Sequence, residues 1–360
     1  TGDESTDAAY KDGGVRRDGG YIFGKSATIT APIGVSAAAD QPISIATADG
    51  ATLKIDAATT GIDAASVSAV TITGNRLEVR TPQTEGAHAI KTAENATVDI
   101  SSGFDITGAV ENIGGNVTLN DTGKTSALTG DIYQRGGTFN LTLSGKDSRV
   151  QSAIRNNGGT VNVDITGDGA TWNVTGASDV TNLTAKDGRI VQQSDGLLNV
   201  TNYTGTATVF YEGTADANGN LTLAHKGGFR LQNVIGTGNH LTFATKAAGE
   251  TTEADEKVAS ALAGQFLYTG DRAANIENNL LKNLDLDVVI GEGILKSEAT
   301  YRMLLDPATG TAGGVHEIAR PMVGSYETQV MRGVKSAMAS SAMAWRAEAN
   351  DLMKRMGDLR

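Results

Sequence analysis

The sequence predicts an all-β fold, a right-handed parallel β-helix of about 22 residues per coil, with a C-terminal β cap and a C-terminal α-helix. Two observations predict the solenoid. Apolar residues alternate with Thr, Asn and Asp over short stretches between Gly-containing turns, which is strand periodicity. Three Gly-Gly pairs, at 114–115, 136–137 and 158–159, also recur with a constant 22-residue step. Because a parallel solenoid stacks each coil on the last, a fixed repeat with strand periodicity indicates this fold.

The apolar residues follow the same 22-residue step, so we expect four columns of stacked side chains in the interior. Three columns are Val117, Phe139 and Val161; Leu119, Leu141 and Val163; and Val110, Ile132 and Ile154. The fourth is Ile106, Leu128, Val150 and Trp172. Asn112, Gln134 and Asn156 keep the same step and are expected to form an amide ladder.

Less regular copies of the repeat extend over 20–246, which we assign to the solenoid. The polar, Gly-rich residues 1–19 predict a disordered lead-in. Residues 247–305 begin with the acidic insert ETTEADEK and continue with strand-like segments, and we expect them to cap the last strand edge. Residues 306–321 read as a linker. Residues 322–360, rich in Ala, Met, Arg and Glu, predict an α-helix.

The composition favours an elongated molecule, because 45 Gly with only 5% aromatic residues is unusual for a compact core. The formal net charge of −11 opposes nucleic-acid binding through electrostatic attraction. Without cysteine, the chain has no disulfides, no thiolate metal sites and no cysteine catalysis.

Motifs for catalysis or for a cofactor are weak. Residues 19–26 satisfy the phosphate-loop pattern, but such a loop must follow a buried strand and open a helix. Here the polar segment YKDGGVRRD precedes it, and ATITAPIG, with Pro32, follows it. The four histidines, His88, His225, His240 and His316, lack the local pairing of a zinc site. We therefore predict no metal and no cofactor. A β-helix polysaccharide-degrading enzyme remains the alternative, with calcium ligands among Asp99, Asp121, Asp164, Asp168, Asp179 and Asp187.

From about residue 100 to 360 the chain resembles the AIDA-type autotransporters of Gram-negative bacteria. The likeness rests on the Gly/Asn/Thr solenoid, on the phrase GDGATWNVTG and VTNLT within 167–184, and on the helix ending MKRMGDLR. The resemblance implies a passenger solenoid, a folding-promoting cap and a helix threaded through an outer-membrane β-barrel that is not in this chain. It implies type V secretion and display at the cell surface, outside the outer membrane.

The tail also resembles the helix of the serine protease autotransporters, which reads E-x-N-N-L-N-K-R-M-G-D-L-R. Glu348, Asn350, Leu352 and the run Lys354–Arg360 match that motif, whereas Asp351 and Met353 depart from it. In those proteins the first Asn cyclises onto its own carbonyl and releases the passenger. The match makes single-turnover self-cleavage between Asn350 and Asp351 a hypothesis, and the other interpretation is a helix that stays in the pore.

The resemblance implies an adhesin that acts in virulence, autoaggregation and biofilm formation rather than an enzyme. Its partners would be the same protein on other cells, or host glycans and matrix. A surface of Thr, Asn, Ser and Asp offers hydrogen bonds and little apolar area, which suits weak multivalent contacts. A passive stalk for an upstream adhesive region remains the structural alternative.

Overall fold

The computed structural model describes residues 10–11, 19–270, 280–291, 299–306 and 308–319, and the structural statements below concern these residues. The chain forms a β-solenoid, with 63% of residues in strands and 5% in helices, so the predicted all-β class is confirmed. Residues 1–9 and 12–18 of the expected lead-in lie outside the described residues, as does the expected helix 322–360 with Asn350 and Asp351.

The strands follow one another along the chain in three groups. The first group is β1 (Tyr10–Lys11), β2 (Gly19–Phe23), β3 (Ala27–Ala37), β4 (Ile43–Ala64), β5 (Ala69–Arg80), β6 (His88–Thr92), β7 (Thr97–Thr107) and β8 (Ala109–Asn112). The second is β9 (Asn116–Asn120), β10 (Ala127–Thr129), β11 (Ile132–Gln134), β12 (Thr138–Leu143), β13 (Arg149–Ser152), β14 (Ile154–Asn156), β15 (Thr160–Ile165) and β16 (Thr171–Val174).

The third group contains the C-terminal elements of the described chain. It is β17 (Ser178–Gln192), β18 (Leu198–Tyr211), β19 (Gly213–Ala215), β20 (Leu221–Leu223), β21 (Phe229–Val234), β22 (Asn239–Thr245), α1 (Thr252–Ala263), β23 (Phe266–Tyr268), α2 (Leu281–Asn283), β24 (Leu284–Ile290), β25 (Ala299–Leu305) and β26 (Ala312–Ala319).

Strand pairing places the members of all four predicted columns in direct parallel register. β12 pairs with β9 and β15, which stacks Phe139 between Val117 and Val161, and Leu141 between Leu119 and Val163. β11 pairs with β8 and β14 and aligns the Val110, Ile132 and Ile154 column. The Ile106, Leu128, Val150 and Trp172 column runs through β7, β10, β13 and β16. All thirteen side chains are at most 1% exposed, so the columns form the core.

The spacing between stacked residues is roughly 24 over the solenoid, close to the predicted 22, and it varies along the chain. The 22-residue step holds from Ile106 to Trp172. The same column continues outside that range, and its members are Ile29, Ile55, Val79, Ile106, Leu128, Val150, Trp172, Ile190, Val209, Phe243 and Val288. The step shortens between Trp172 and Ile190 and is longest between Phe243 and Val288. Loops between strands, and register shifts within the β3–β4, β4–β5, β5–β7 and β17–β18 pairs, accommodate these differences.

Glycine is required at one corner of the regular windings, because backbone there lies directly on backbone. Gly137 and Gly159 have φ of +70° and +87°, a region that other residues rarely adopt. A Cβ on Gly137 would lie 1.9 Å from the carbonyl oxygen of Gly115, and a Cβ on Gly159 would lie 2.3 Å from that of Gly137. The repeated Gly-Gly pairs are therefore stacked corners of successive windings.

The predicted amide ladder forms in part. Asn112 Nδ2 donates to Gln134 Oε1 at 3.0 Å, and both side chains are buried. Asn156, one winding further on, accepts instead from the backbone N–H of Gly158 in its own turn at 3.1 Å.

The expected β cap contains a helix that the sequence reading missed. α1 covers most of the segment read as an acidic insert. Thr251 caps its N-terminus by accepting from the Ala254 N–H, and Glu253 and Asp255 lie in the first turn, where the helix dipole favours negative charge. The helix buries an apolar face formed by Ala254, Val258, Ala259, Leu262 and Ala263. The periodicity of this face was the available signal.

The two flanking predictions also need adjustment. Strand β26 lies within 306–321, which was expected to be a linker, and it pairs antiparallel with β25, which pairs antiparallel with β24. At the other end, β1 falls within the expected disordered lead-in and pairs in parallel with β3. The direction of pairing changes from parallel to antiparallel at β24, where the solenoid stacking ends.

Candidate functional site

The residues singled out for metal or nucleotide chemistry serve other purposes in the fold. The 19–26 segment forms β2, which pairs with β4, and leads into β3 rather than a helix. In the described part of the chain, no group of three or more His, Asp or Glu side chains is placed to hold a metal ion. Over the same residues, no helix is long and apolar enough to cross a membrane.

The acidic residues named for a calcium site are dispersed, and several make structural hydrogen bonds. Asp121 is buried and accepts from the hydroxyls of Ser144 (2.6 Å) and Ser148 (2.9 Å) and from the Gly145 N–H (2.8 Å), which ties two windings together. Burial raises the pKa of Asp164, with a further contribution from the charge of Asp121.

The remaining four make separate contacts along the solenoid. Asp99 accepts from Ser101, Asp179 from Asn199 and Asp187 from Thr206, whereas Asp168 lies 3.8 Å from Lys146 Nζ. Each of these contacts is local, within one strand or between neighbouring windings.

The histidines are likewise separate. His88 pairs with Glu111, His225 lies 3.9 Å from Asp195, and His240 pairs with Asp287. His316 lies in β26 opposite Arg302.

One outward-facing row forms a continuous ladder of asparagine side chains, which we call the asparagine ladder. Its members are Asn140, Asn162, Asn182, Asn202 and Asn233. Each Nδ2 donates to the Oδ1 of the preceding member, at 2.7, 2.7, 2.8 and 3.3 Å along the chain. Asn140 in turn donates to Thr118 Oγ1 at 3.3 Å. Side-chain hydrogen bonds therefore connect six stacked strands along this row, in addition to the backbone pairing of the strands.

The asparagine ladder has unused hydrogen-bonding capacity. A primary amide carries two N–H donors and two acceptor lone pairs, and each ladder bond uses one of either kind. Asn140, Asn162, Asn182 and Asn202 are half-buried, and Asn233 is exposed. The row therefore presents regularly spaced donors and acceptors to any partner that reaches this face.

A second surface feature is a groove of about 790 Å³, which we call the Glu111 groove. The exposed loop 82–86 forms one wall, with Gln83 and Glu85 among the lining side chains. The floor comes from successive windings and includes Glu111 of β8, Tyr133 of β11 and Gln151 of β13. The groove thus lies between the loop that connects β5 to β6 and the strands of neighbouring windings.

The carboxylates of Glu111 and Asp131 in the Glu111 groove are paired with cations. Glu111, whose side chain is 13% exposed, lies 2.9 Å from Arg135 Nε and 3.3 Å from His88 Nε2. Lys91 Nζ stands 4.0 Å from the same carboxylate. On the next winding, Asp131 pairs with Arg155 at 3.2 Å. Both signs of charge are thus fixed side by side along the floor.

Two further details mark the groove. His88 Nδ1 is buried and has no hydrogen-bond partner among the described residues. Beside it, burial raises the pKa of Asp63, while the charges of Lys91 and His88 oppose that rise. Tyr133 is half-buried, with the Arg155 guanidinium 6.0 Å from its ring centre.

The sequence reading found neither surface. It named the thirteen column residues, which the structure places in the interior, and the pair Asn350 and Asp351, which lies outside the described residues. The sequence did not predict the asparagine ladder, because the spacings between its members are unequal, at 22, 20, 20 and 31 residues. Comparisons of the chain with protein-family models, with curated proteins and with solved structures find no match.

Proposed function

We propose that this chain is a cell-surface autotransporter passenger that acts as an adhesin, holding cells together or attaching them to host glycans or matrix through its solenoid surface. The resemblance of the solenoid and of the MKRMGDLR tail to the AIDA-type autotransporters motivates the family assignment. The observation that carries the adhesive role is the asparagine ladder, a row of amide groups at strand spacing along one face.

The chemistry of the ladder favours many weak contacts. A second copy or a hydroxyl-rich partner lying along this face would meet the remaining donor and acceptor of each amide in turn. Individually these bonds contribute little, since water competes for the same groups. Between two cells that each display many copies of the protein, these weak contacts together give strong adhesion, because the second and later contacts form at high effective concentration.

The net charge of −11 works against self-association and gives a condition for the test. Two identical acidic surfaces repel, and dissolved salt shortens the range of that repulsion to about 8 Å at physiological ionic strength. Association through neutral amides should therefore strengthen when salt is raised from low to physiological concentration.

The test is clumping of beads coated with the full chain. We expect clumping at physiological salt and less at low salt. The Asn182→Lys variant should reduce it, because an ammonium replaces the central amide and opposes an identical charge on the facing copy. Ala127→Lys is the matched control, since Ala127 faces outward on another row between Asp105 and Arg149.

The outcomes separate the adhesin from the stalk. Beads that stay dispersed at every salt concentration, and that also fail to bind immobilised matrix proteins or glycans, would contradict the adhesin and favour a passive stalk. Equal loss of clumping in Asn182→Lys and Ala127→Lys would contradict the proposal that the asparagine ladder is the contact surface.

A further inference from the structure

The Glu111 groove has the dimensions and lining of a binding site for an extended polar molecule. Its volume of about 790 Å³ falls in the range of small-ligand sites, roughly 300–1,000 Å³. Its floor crosses several windings, which lie about 4.8 Å apart. A pyranose unit advances an oligosaccharide chain by nearly the same distance, so consecutive sugars would meet equivalent positions on consecutive windings.

The lining side chains suit sugar hydroxyl groups. A hydroxyl both donates and accepts, and the groove alternates acceptors with donors, as in the Glu111 and Arg135 pair at 2.9 Å. Each carboxylate keeps lone pairs beyond those used in its ion pair, and each guanidinium keeps further N–H groups. These groups are already held in position by their partners, which lowers the ordering cost of binding.

Tyr133 supplies an apolar surface that the ion pairs of the groove do not. The half-buried Tyr133 offers an aromatic ring that can pack against the apolar face of a pyranose.

Other ligand classes fit less well. Polyanions are opposed by the net charge of −11, and the groove cations already face Glu111 and Asp131. A divalent metal would need several clustered ligands, and the described residues hold no such cluster. A peptide would need apolar anchoring, for which the lining offers chiefly the Tyr133 ring and the small side chains of Ala87 and Ala109.

We propose that the Glu111 groove binds a neutral oligosaccharide, lying across the windings with one sugar packed on Tyr133 and its hydroxyls bonded to the paired charges. This deepens the proposed adhesin function and rests on it for its biological role. The Glu111 groove and the asparagine ladder involve different residues, so the experiments can contradict either proposal without the other.

The experiment measures binding of hexasaccharides of glucose, mannose, galactose and N-acetylglucosamine to the full chain by calorimetry and saturation-transfer NMR. Hexasaccharides of heparin and of galacturonic acid serve as acidic comparators. We expect at least one neutral hexasaccharide to bind and the acidic ones not to.

The variants locate the site. Tyr133→Ala should weaken binding about tenfold or more, and Tyr133→Phe should retain most of it, because the ring is kept. Glu111→Gln should also weaken binding, since it removes the charged acceptor. Glu78→Gln is the matched control, because Glu78 lies in β5 beside Arg76 and Arg80 and does not line the groove. Thermal melting of each variant checks that the fold is retained.

Four outcomes would overturn the proposal. They are binding of none of the neutral probes, binding of acidic probes alone, affinity unchanged in both Tyr133→Ala and Glu111→Gln, and equal loss in Glu78→Gln. If bound hexasaccharide is cleaved by the wild type but not by Glu111→Gln, the groove proposal is supported while the adhesin function gives way to the polysaccharide-degrading alternative. Clumping of beads without oligosaccharide binding would leave the adhesin standing and remove the groove.

Discussion

The regular windings between residues 106 and 172 and the longer ones between 198 and 290 build the same solenoid in different ways. In the first region the 22-residue step is constant, and the stacked side chains are mostly aliphatic. In the second the steps are longer and unequal, as from Val209 to Phe243 and on to Val288, and the added loops contain a hairpin and α1. The stacking direction and register nevertheless continue from one to the other. Parallel hydrogen bonding between strands therefore continues the solenoid in the region where the sequence no longer repeats at a fixed spacing.

The interior changes together with the loop length. Phe243 touches three other rings, with centroid distances of 6.3 Å to Tyr211, 6.0 Å to Phe229 and 5.8 Å to Phe266. The buried hydroxyl of Tyr211 donates to the Gly227 carbonyl at 2.9 Å, so its polar end is satisfied. Burial raises the pKa of this phenol well above its usual range. The end windings thus surround the continuing apolar column with several large aromatic side chains.

The largest effect is expected from a charge in the regular windings. Val161 is fully buried and stacked on Phe139, so Val161→Asp places an unpaired carboxylate in the core at a cost above about 4 kcal/mol. We expect the rod to lose its melting transition or to melt far earlier by circular dichroism. The control is Thr160→Asp, one residue earlier on the outer face, with a cost of about 1 kcal/mol or less. Unchanged melting in Val161→Asp would contradict the stacked-column core.

A smaller and more local effect is expected in the end windings. Phe243→Ala removes the ring at the centre of the aromatic cluster and should cost about 3–5 kcal/mol. Because each winding is stabilised chiefly by its neighbours, hydrogen exchange should accelerate first within 198–290 and later within 106–172. Phe243→Leu, which keeps most of the apolar volume, should show a weaker version of the same pattern. Equal acceleration in both regions would show that the two unfold as one unit.

The smallest effect is a pH dependence at the junction with the cap. His240 Nε2 lies 2.9 Å from Asp287 Oδ2, and this hydrogen bond raises the pKa of His240, while partial burial opposes the rise. The charges of Asp287 and Asp285 add to the rise, and that of Arg302 opposes it. Arg302 also forms an ion pair with Asp287, which ties β25 to β24.

Since the pKa is higher in the folded state, the stabilisation is complete below the unfolded value of 6.5 and is lost as pH rises through the folded pKa. We expect the cap to be less stable at pH 8 than at pH 6, by less than about 1 kcal/mol because solvent screens the partly exposed His240. Denaturant titrations at the two pH values, followed by exchange at β22 and β24, would measure it. His240→Gln should flatten the difference, and a difference of the same size in that variant would assign it to other groups.

Sequence reasoning succeeded where one physical constraint acted alone. In the regular windings the column members must be apolar and the corners must be glycine, so Val117, Phe139 and Val161 could be aligned by counting. It failed where several constraints combined. The helix α1 was hidden because its acidic first turn, with Glu253 and Asp255, dominates the composition of a short segment. Its buried apolar positions, from Ala254 to Ala263, are mostly alanine and are spaced for a helix.

The two candidate surfaces depend on relations that no fixed spacing expresses. The asparagine ladder joins Asn182 to Asn202 at one step and Asn202 to Asn233 at the next, through loops of different length. The Glu111 groove combines the loop 82–86 with side chains from neighbouring windings. Of these, Glu111 and Tyr133 become adjacent only through strand pairing. In this chain the spacing of residues in the sequence predicts which side chains are buried, but it does not predict which exposed side chains lie next to one another.

The stacked corners at Gly115, Gly137 and Gly159 bear on how such a molecule can evolve. Gly137 and Gly159 each pack on the carbonyl of the corner glycine one winding earlier, so a tandem duplication of one whole repeat unit would repeat this backbone contact at its borders. Such an event would lengthen the molecule by one strand spacing, about 4.8 Å, and leave the cap intact. Deletions or insertions at the corners themselves would break backbone contacts instead. Natural variants should therefore differ by complete units in this part of the chain and by loop length elsewhere.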